Sequence, residues 1–261
     1  MLRKQLKAEV KKIQKSPGVI IVTLICFLFF VMLYYQKAIN IHSGFFTPDL
    51  LTIEYMSSFN LLLLSLVGFI PISIVGAYIG GIDYVFNTNV YTIGTNGRLK
   101  STIVKMITLF IIILTFICFT VILGVVESIM LNRIKLQNVD YNLLIKQVFS
   151  CYIILSLSGL LGFFGATITK RVYGGIMIGT VFPIIFGQMV RYTPFLHPLT
   201  IESYTSSIVY HSFHNLSNDP QIQIQIVHRL TYETSLFIIF ALIILFCFIT
   251  TIMVSRRNFN A

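Results

Sequence analysis

The hydrophobic pattern of the chain is dominated by long stretches that contain no charged residue. A helix that rises about 1.5 Å per residue needs about 20 apolar residues to cross the hydrocarbon core of a bilayer. Six charge-free windows reach that length: 16–36, 55–82, 106–126, 147–169, 172–190 and 234–255. The pattern therefore predicts an all-α polytopic membrane protein. A single transmembrane domain over 17–261 would hold six transmembrane helices, at about 18–36, 56–82, 104–126, 147–169, 172–190 and 234–255.

The first residues have a different, amphipathic pattern. Leu2, Leu6, Val10 and Ile13 recur at steps of four, four and three, and lysines fill the positions between them. This spacing predicts an amphipathic elbow helix over 1–16 that lies in the membrane interface with its apolar face in the acyl boundary. Proline at position 17 would end this helix before the first span. The alternative is an ordinary basic tail beside the membrane.

Composition and charge support the membrane interpretation and indicate an orientation. Charged residues make up 11% of the chain, against about 25% in a typical soluble domain. If both termini are cytoplasmic, the inner segments hold 13 basic and 2 acidic residues and the outer segments 6 and 7, which gives net charges of +11 and −1. That asymmetry follows the positive-inside rule. The basic residues form no clustered stripe, so we expect no nucleic-acid partner.

The polar insert from Asp83 to Lys105 separates the second and third predicted spans. Its Gly94-Thr-Asn-Gly97-Arg-Leu-Lys100 run has the composition of a phosphate-binding loop, but the lysine does not follow a glycine. The phosphate cradle of that motif therefore cannot form. The sequence also lacks a His-Glu-x-x-His helix and has no carboxylate pair inside a predicted span. We therefore expect no catalytic residues, no metal site and no cofactor in this chain, which would not be an enzyme.

Charged residues are predicted to lie only near the ends of the spans. Asp83 and Lys105 flank the predicted inner surface, and Glu127 and Lys146 flank the outer one. Ion-coupled carriers and proton relays usually need ionisable groups at membrane depth. If the protein moves a substrate uphill, its energy is therefore expected to come from elsewhere.

Small residues and one proline predict how the spans pack and bend. Glycines recur at 76 and 80, at 159, 162 and 165, and at 175 and 179. Such spacing allows helices to approach closely, either within one subunit or at an interface between two. Pro71 lies in the middle of the second window, where its missing amide predicts a kink or hinge.

Taken together, this organisation resembles the permease subunit of an ABC-2 type transporter. The shared features are the amphipathic elbow, six spans with both ends inside, a short polar insert after span two, a two-residue turn after span four and a long outer segment before span six. Within the insert the family typically has an acidic residue, a glycine, an arginine and a lysine in that order, and Asp83, Gly94, Arg98 and Lys105 match it. The family commonly has Glu at the first position and a proline before the arginine, and this chain has neither.

The resemblance implies that the insert forms a coupling helix in a groove of a separate ATP-binding subunit. Two copies of that subunit would bind ATP and Mg and drive a pair of permeases, identical or homologous. The alternative is a solvated loop held by interfacial tyrosines. The residues implied to contact the ATP-binding subunit are Asp83, Tyr84, Val85, Phe86, Asn87, Asn89, Val90, Tyr91, Gly94, Arg98, Lys170 and Arg171.

The chain is also similar to a subset of these permeases from Gram-positive bacteria, which serve bacteriocin or lantibiotic immunity or export amphipathic peptides such as phenol-soluble modulins. This similarity implies a multi-pass protein of the bacterial cytoplasmic membrane with a peptide substrate. Export of a lipid-linked glycan or a small drug is the alternative within the same family. Outside it, an ion-coupled secondary carrier and a membrane scaffold remain open.

Overall fold

The structure is a computed structural model that describes residues 52–85, 98–132, 140–191, 193, 200–216 and 230–256, together with single positions between 11 and 39. Every regular element among these residues is helical. They include a π-helical turn, Met177–Val181, and a 3₁₀ turn, His214–Leu216. The α-helices are α1 Ile53–Val67, α2 Phe69–Val85, α3 Arg98–Asn132, α4 Tyr141–Thr169, α5 Val172–Ile176, α6 Phe182–Arg191, α7 Ile201–Ser212 and α8 Tyr232–Arg256.

Four stretches in the described part of the chain are long and apolar enough to cross a membrane: Leu99–Met130, Tyr141–Thr169, Val172–Met189 and Tyr232–Ser255. The bent pair of α1 and α2 makes a fifth if it is counted as one span. The prediction of a helical protein is confirmed for the described residues, whose four or five candidate spans are compatible with several membrane passages, and the count of six spans stays a prediction. The predicted elbow residues Leu2, Leu6, Val10 and Ile13 lie outside the described residues.

Local capping explains where α4 begins and ends. The carboxylate of Asp140 accepts hydrogen bonds from the backbone N–H groups of Asn142 and Leu143, at 3.0 and 3.2 Å. These are orphan donors of the first helical turn, so the aspartate fixes the start of the helix. At the other end, Lys170 adopts the left-handed conformation with φ of 57°. The chain then re-enters a helix at Val172, which leaves Lys170 and Arg171 as a two-residue connection.

The helices α1 and α2 meet at Gly68 with a bend of 58°. Pro71 explains the break, because a proline has no N–H for the carbonyl of Val67 and its ring clashes with that group. Hydrogen bonds continue around the break, from Gly68 N to Leu64 O at 2.8 Å and from Ile72 N to Gly68 O at 3.1 Å. The bend therefore lies next to the predicted hinge at Pro71, and its use as a hinge stays a prediction.

The π-helical turn between α5 and α6 also precedes a proline. Pro183 is the second residue of α6 and offers no N–H to the carbonyl of Gly179, which lies within the turn Met177–Val181. Widening of the turn accommodates the missing hydrogen bond. Two irregular segments thus lie in the helices that pack on α4.

The tightest packing in the bundle joins α2 to α4 through glycines. A Cβ atom on Gly76 would lie 2.0 Å from the carbonyl oxygen of Gly159, and one on Gly162 would lie 2.0 Å from that of Ser73. Backbone atoms of the two helices therefore touch where side chains would normally separate them. In this structure the predicted small-residue positions at 76, 159 and 162 serve packing within one chain.

The facing glycines make a matched pair for a test of this contact. Gly76→Ala should destabilise the protein by about 1–3 kcal/mol, because its new methyl group meets backbone that cannot move alone. Gly159→Ala should be tolerated much better, because its methyl group would meet only side-chain methyl groups, at 3.2 Å or more. Both variants gain the same helix propensity. Thermal unfolding in detergent, followed by circular dichroism, measures the difference, and equal melting temperatures would contradict the asymmetric packing.

Candidate functional site

A buried ion pair joins the two helices between which the polar insert lies. The Nζ atom of Lys105, on α3, contacts Oδ2 of Asp83, on α2. Asp83 is 1% exposed and Lys105 is 7% exposed, so water screens the pair little. These two helices flank residues 86–97, and the ion pair therefore ties together the two chain ends from which that segment emerges.

The structure describes only some of the residues predicted to contact an ATP-binding subunit. Tyr84 is half-buried beside Asp83, Val85 is the last residue of α2, and Arg98 is the first residue of α3. Asp83 faces the interior and Lys105, so a contact with another subunit through its carboxylate stays a prediction. The remaining predicted contact residues of the insert lie outside the described residues: Phe86, Asn87, Asn89, Val90, Tyr91 and Gly94.

The connection between α4 and α5 lies at the same end of the bundle. Lys170 and Arg171 are both exposed. Val172, which follows them, packs on α2 so closely that a Cβ on Gly81 would lie 2.8 Å from its Cγ2 methyl. The structure therefore brings the basic Lys170–Arg171 turn next to the end of α2 that leads into the insert, and a contact of this turn with another subunit stays a prediction.

A second buried ion pair, which we call the Lys37 cluster, lies near the other end of α3. Its members are Lys37, Asn60 and Glu127, together with the ring of Phe59. The Nζ atom of Lys37 lies 2.6 Å from Oε2 of Glu127 and 2.6 Å from Oδ1 of Asn60, and 5.0 Å from the centre of the Phe59 ring. Lys37 is 3% exposed and Asn60 is fully buried. Glu127 lies near the end of α3, as the sequence predicted, but the burial of Lys37 and Glu127 was not predicted.

The two ion pairs bracket the apolar part of α3. Lys105 and Glu127 are 22 residues apart, which corresponds to about 33 Å along the helix and about 40° around its axis. The residues between them, 106–126, carry no charge. The separation matches the thickness of a bilayer core of about 30 Å. Each pair also joins residues that the charge distribution placed on the same side of the membrane.

A third polar group holds α7 against the bundle, at the end where α4 and α8 begin. The side chain of Gln147, on α4, accepts a hydrogen bond from Ser58 at 2.7 Å and donates to the backbone oxygen of Ser212 at 3.2 Å and to Asn215 at 3.0 Å. Nearby, the hydroxyl of Ser150 lies 2.9 Å from that of Tyr232. Sequence reasoning missed this network. The available signal was a glutamine at the start of an apolar window, followed by a serine three residues later on the same helical face.

The arrangement offers buried ion pairs and hydrogen bonds. Among the described residues no three His, Cys, Asp or Glu side chains lie close enough to hold a metal ion. Comparison with family models, curated proteins and solved structures found no match. The described residues form a helical protein compatible with several membrane passages.

The Asp83–Lys105 pair can be tested by breaking it from one side. Lys105→Met should destabilise the protein by about 3–5 kcal/mol, because the buried carboxylate of Asp83 loses its ion pair with Lys105. The double variant Asp83→Leu with Lys105→Met should recover much of that loss, since no buried charge remains. Thermal unfolding in detergent and yield in purified membranes measure both effects.

A matched control for this pair is Lys100→Met, which removes a lysine that lies one and a half turns earlier on α3 and is half-exposed. It should change stability by less than about 1 kcal/mol, as for a solvated lysine. Additive effects of the Asp83 and Lys105 substitutions in the double-mutant cycle would show that the two side chains are not coupled.

Proposed function

We propose that this chain is the membrane-spanning permease subunit of an ATP-driven transporter of the ABC-2 type, and that a separate ATP-binding subunit drives it through the 83–105 insert. The observation that carries the proposal is the buried Asp83–Lys105 pair. A segment whose two ends are tied together by a buried ion pair moves with α2 and α3 as one unit. A force on residues 86–97 would therefore reach both helices.

The packing around α2 supports a mechanical role for the insert. The Gly76–Gly159 contact joins α2 to α4 without intervening side chains. The bend at Gly68 separates α2 from α1, so α2 can change its angle relative to α1 with little cost at the break. A displacement at the end of α2 would therefore be carried to α4 and absorbed at the bend next to Pro71.

The charge distribution supports a cytoplasmic position for the insert, the side on which ATP would supply the energy. The insert and the Lys170–Arg171 turn both belong to segments whose basic residues exceed their acidic ones. By the positive-inside rule this end faces the cytoplasm, where ATP is available. The proposed orientation places both termini, the elbow helix and six spans in the arrangement predicted from the sequence, in the bacterial cytoplasmic membrane.

The proposed assembly contains two permeases, identical or homologous, and two ATP-binding subunits that carry ATP and Mg. The proposed substrate is an amphipathic or antimicrobial peptide moved by export, as the similarity to the Gram-positive peptide permeases implies. Within the same class, a lipid-linked glycan or a small drug is the alternative substrate.

One observation favours a second function, that of an ion-coupled secondary carrier. Buried ionisable side chains inside a membrane bundle often mark ion or proton pathways, and the Lys37 cluster contains two of them. We rank this function second because Lys37 and Glu127 neutralise each other at the end of the bundle and not at its centre.

The two functions differ in their source of energy. In inside-out vesicles from cells that express the protein, the proposed transporter should accumulate a fluorescent amphipathic peptide when ATP is added, and vanadate should abolish the accumulation. A protonophore should leave the ATP-driven accumulation largely intact. Transport that survives ATP depletion and disappears with the protonophore would instead identify a secondary carrier.

The contact with the ATP-binding subunit can be tested by co-purification. An affinity-tagged chain, purified in mild detergent from its native cells, should carry a partner that is labelled by photoreactive azido-ATP. Tyr91→Ala and Arg98→Ala should each reduce peptide-stimulated ATP hydrolysis at least about tenfold, as expected when a buried interface anchor worth about 2 kcal/mol is removed. The proposal fails if no labelled partner co-purifies.

The matched control for these variants is Tyr141→Ala, which removes an exposed tyrosine at the opposite end of the bundle. This variant should keep both the partner and its activity. The amount of each variant in the membrane, measured by immunoblot, separates uncoupling from loss of the protein. Unchanged hydrolysis in both the Tyr91 and the Arg98 variant would count against a contact through the insert.

A further inference from the structure

The ammonium group of Lys37 lies in a site built by other parts of the chain. Phe59 and Asn60 belong to α1 and Glu127 belongs to α3, whereas Lys37 comes from the segment that precedes α1. The cluster brings a carboxylate and an amide oxygen to 2.6 Å from one nitrogen, with an aromatic ring 5.0 Å away. Each of these three groups attracts a cation, and the two oxygens accept hydrogen bonds from it.

The site is oriented by its own hydrogen bonding. The Nδ2 group of Asn60 donates to Oε2 of Glu127 at 2.9 Å, so the amide oxygen of Asn60 remains free to accept from the ammonium group. The same Oε2 atom of Glu127 also accepts a hydrogen bond from Nζ of Lys37. The asparagine and the glutamate therefore hold each other in the geometry that binds an ammonium group.

The charged end of the Lys37 side chain makes its contacts with Asn60, Glu127 and the ring of Phe59. Among the described positions between 11 and 39 it is the one buried residue, while Leu28, Met32 and Tyr35 are exposed. A lysine side chain ends in a compact charge on a flexible four-carbon stem, which can withdraw without moving a helix. A buried ion pair adds little stability over apolar residues of the same size. These features fit an occupant that can be exchanged.

We propose that Phe59, Asn60 and Glu127 form a binding site for primary alkylammonium groups, and that Lys37 is its tethered occupant, which a lysine side chain or free amino terminus of the substrate displaces. The assignment of this ligand to a transported peptide rests on the proposed function. The site requires a ligand that donates at least two N–H bonds at short range, which excludes quaternary ammonium groups.

Chemical rescue tests the site directly. Lys37→Ala removes the atoms of one propylammonium ion from the cluster. Propylammonium at 100 mM should raise the melting temperature of purified Lys37→Ala protein by about 3 °C or more, because a ligand that binds only the folded state stabilises it. Propanol and tetramethylammonium should give no such rise, and the wild-type protein should not respond.

Two further variants control this experiment. Lys37→Met fills the same space with an apolar side chain and should not respond to propylammonium. The double variant Lys37→Ala with Glu127→Gln keeps the space but removes the carboxylate, and should also lose the response. The proposal is overturned if propylammonium has no effect on Lys37→Ala, or if it stabilises the double variant equally.

A second measurement uses the wild-type chain and does not depend on a folded variant. The buried amine of Lys37 should be protected from reductive methylation compared with Lys100, which is half-exposed. An amphipathic helical peptide with one lysine should increase methylation of Lys37 several-fold, as read by mass spectrometry. The same peptide with its lysine and amino terminus acetylated should not do so.

Equal methylation of Lys37 with and without the lysine peptide would contradict displacement. Both experiments use the purified chain without ATP or any partner subunit. Their failure would therefore leave the ATP-driven function untouched, and loss of the ATP-binding partner would leave the ammonium site untouched.

Discussion

A charged side chain inside an apolar helical bundle needs an opposite charge or strong hydrogen bonds, and α3 meets that requirement near each of its ends. Lys105 holds Asp83 of α2, and Glu127 holds Lys37 and Asn60. Apolar contacts between the helices are not directional and would tolerate small shifts along their axes. The two ion pairs therefore fix where α1, α2 and the segment before α1 lie along α3.

The helices around α4 are held together by a different kind of contact. Around α4 the helices approach through glycines, and the fit depends on the absence of side chains rather than on charge. Such packing permits little displacement, because backbone atoms are already in contact. The bundle is thus held by close backbone packing around α4 and by buried polar contacts along α3.

Much of this fold was predictable from the sequence, because the apolar windows are long and sharply bounded by charge. The windows 106–126, 147–169 and 234–255 each lie inside a helix of the structure, and Pro71 indicated the irregular second span. Helix α7 was not predicted, since its serines and tyrosines make it too polar to read as a membrane span. Its buried Ser212 hydrogen-bonds Ser150 of α4, and its buried Ser207 donates to the carbonyl oxygen of Leu230, just before α8, so these contacts depend on tertiary neighbours.

The two buried ion pairs, like α7, could not be predicted from the sequence. The charge count placed Lys37 and Glu127 on the same side of the membrane, but 90 residues separate them and no local pattern connects them. Asp83 and Lys105 were noticed because they flank the insert, yet their burial depends on how closely α2 approaches α3. Sequence periodicity describes one helix at a time, whereas a buried pair is a property of two helices.

The position of both pairs on one helix has a thermodynamic consequence. If a ligand replaces Lys37 at one end of α3, the contacts that hold this end change, and any resulting movement of α3 is felt by the Asp83–Lys105 pair at the other. Coupling between two sites is reciprocal, so a ligand that favours engagement of the insert must itself bind more tightly when the insert is engaged, by the same factor. Such coupling requires that α3 has two arrangements which both ends distinguish. An uninterrupted helix of 35 residues with a charge held at each end is suited to that role, because a shift at either end must be carried along its whole length.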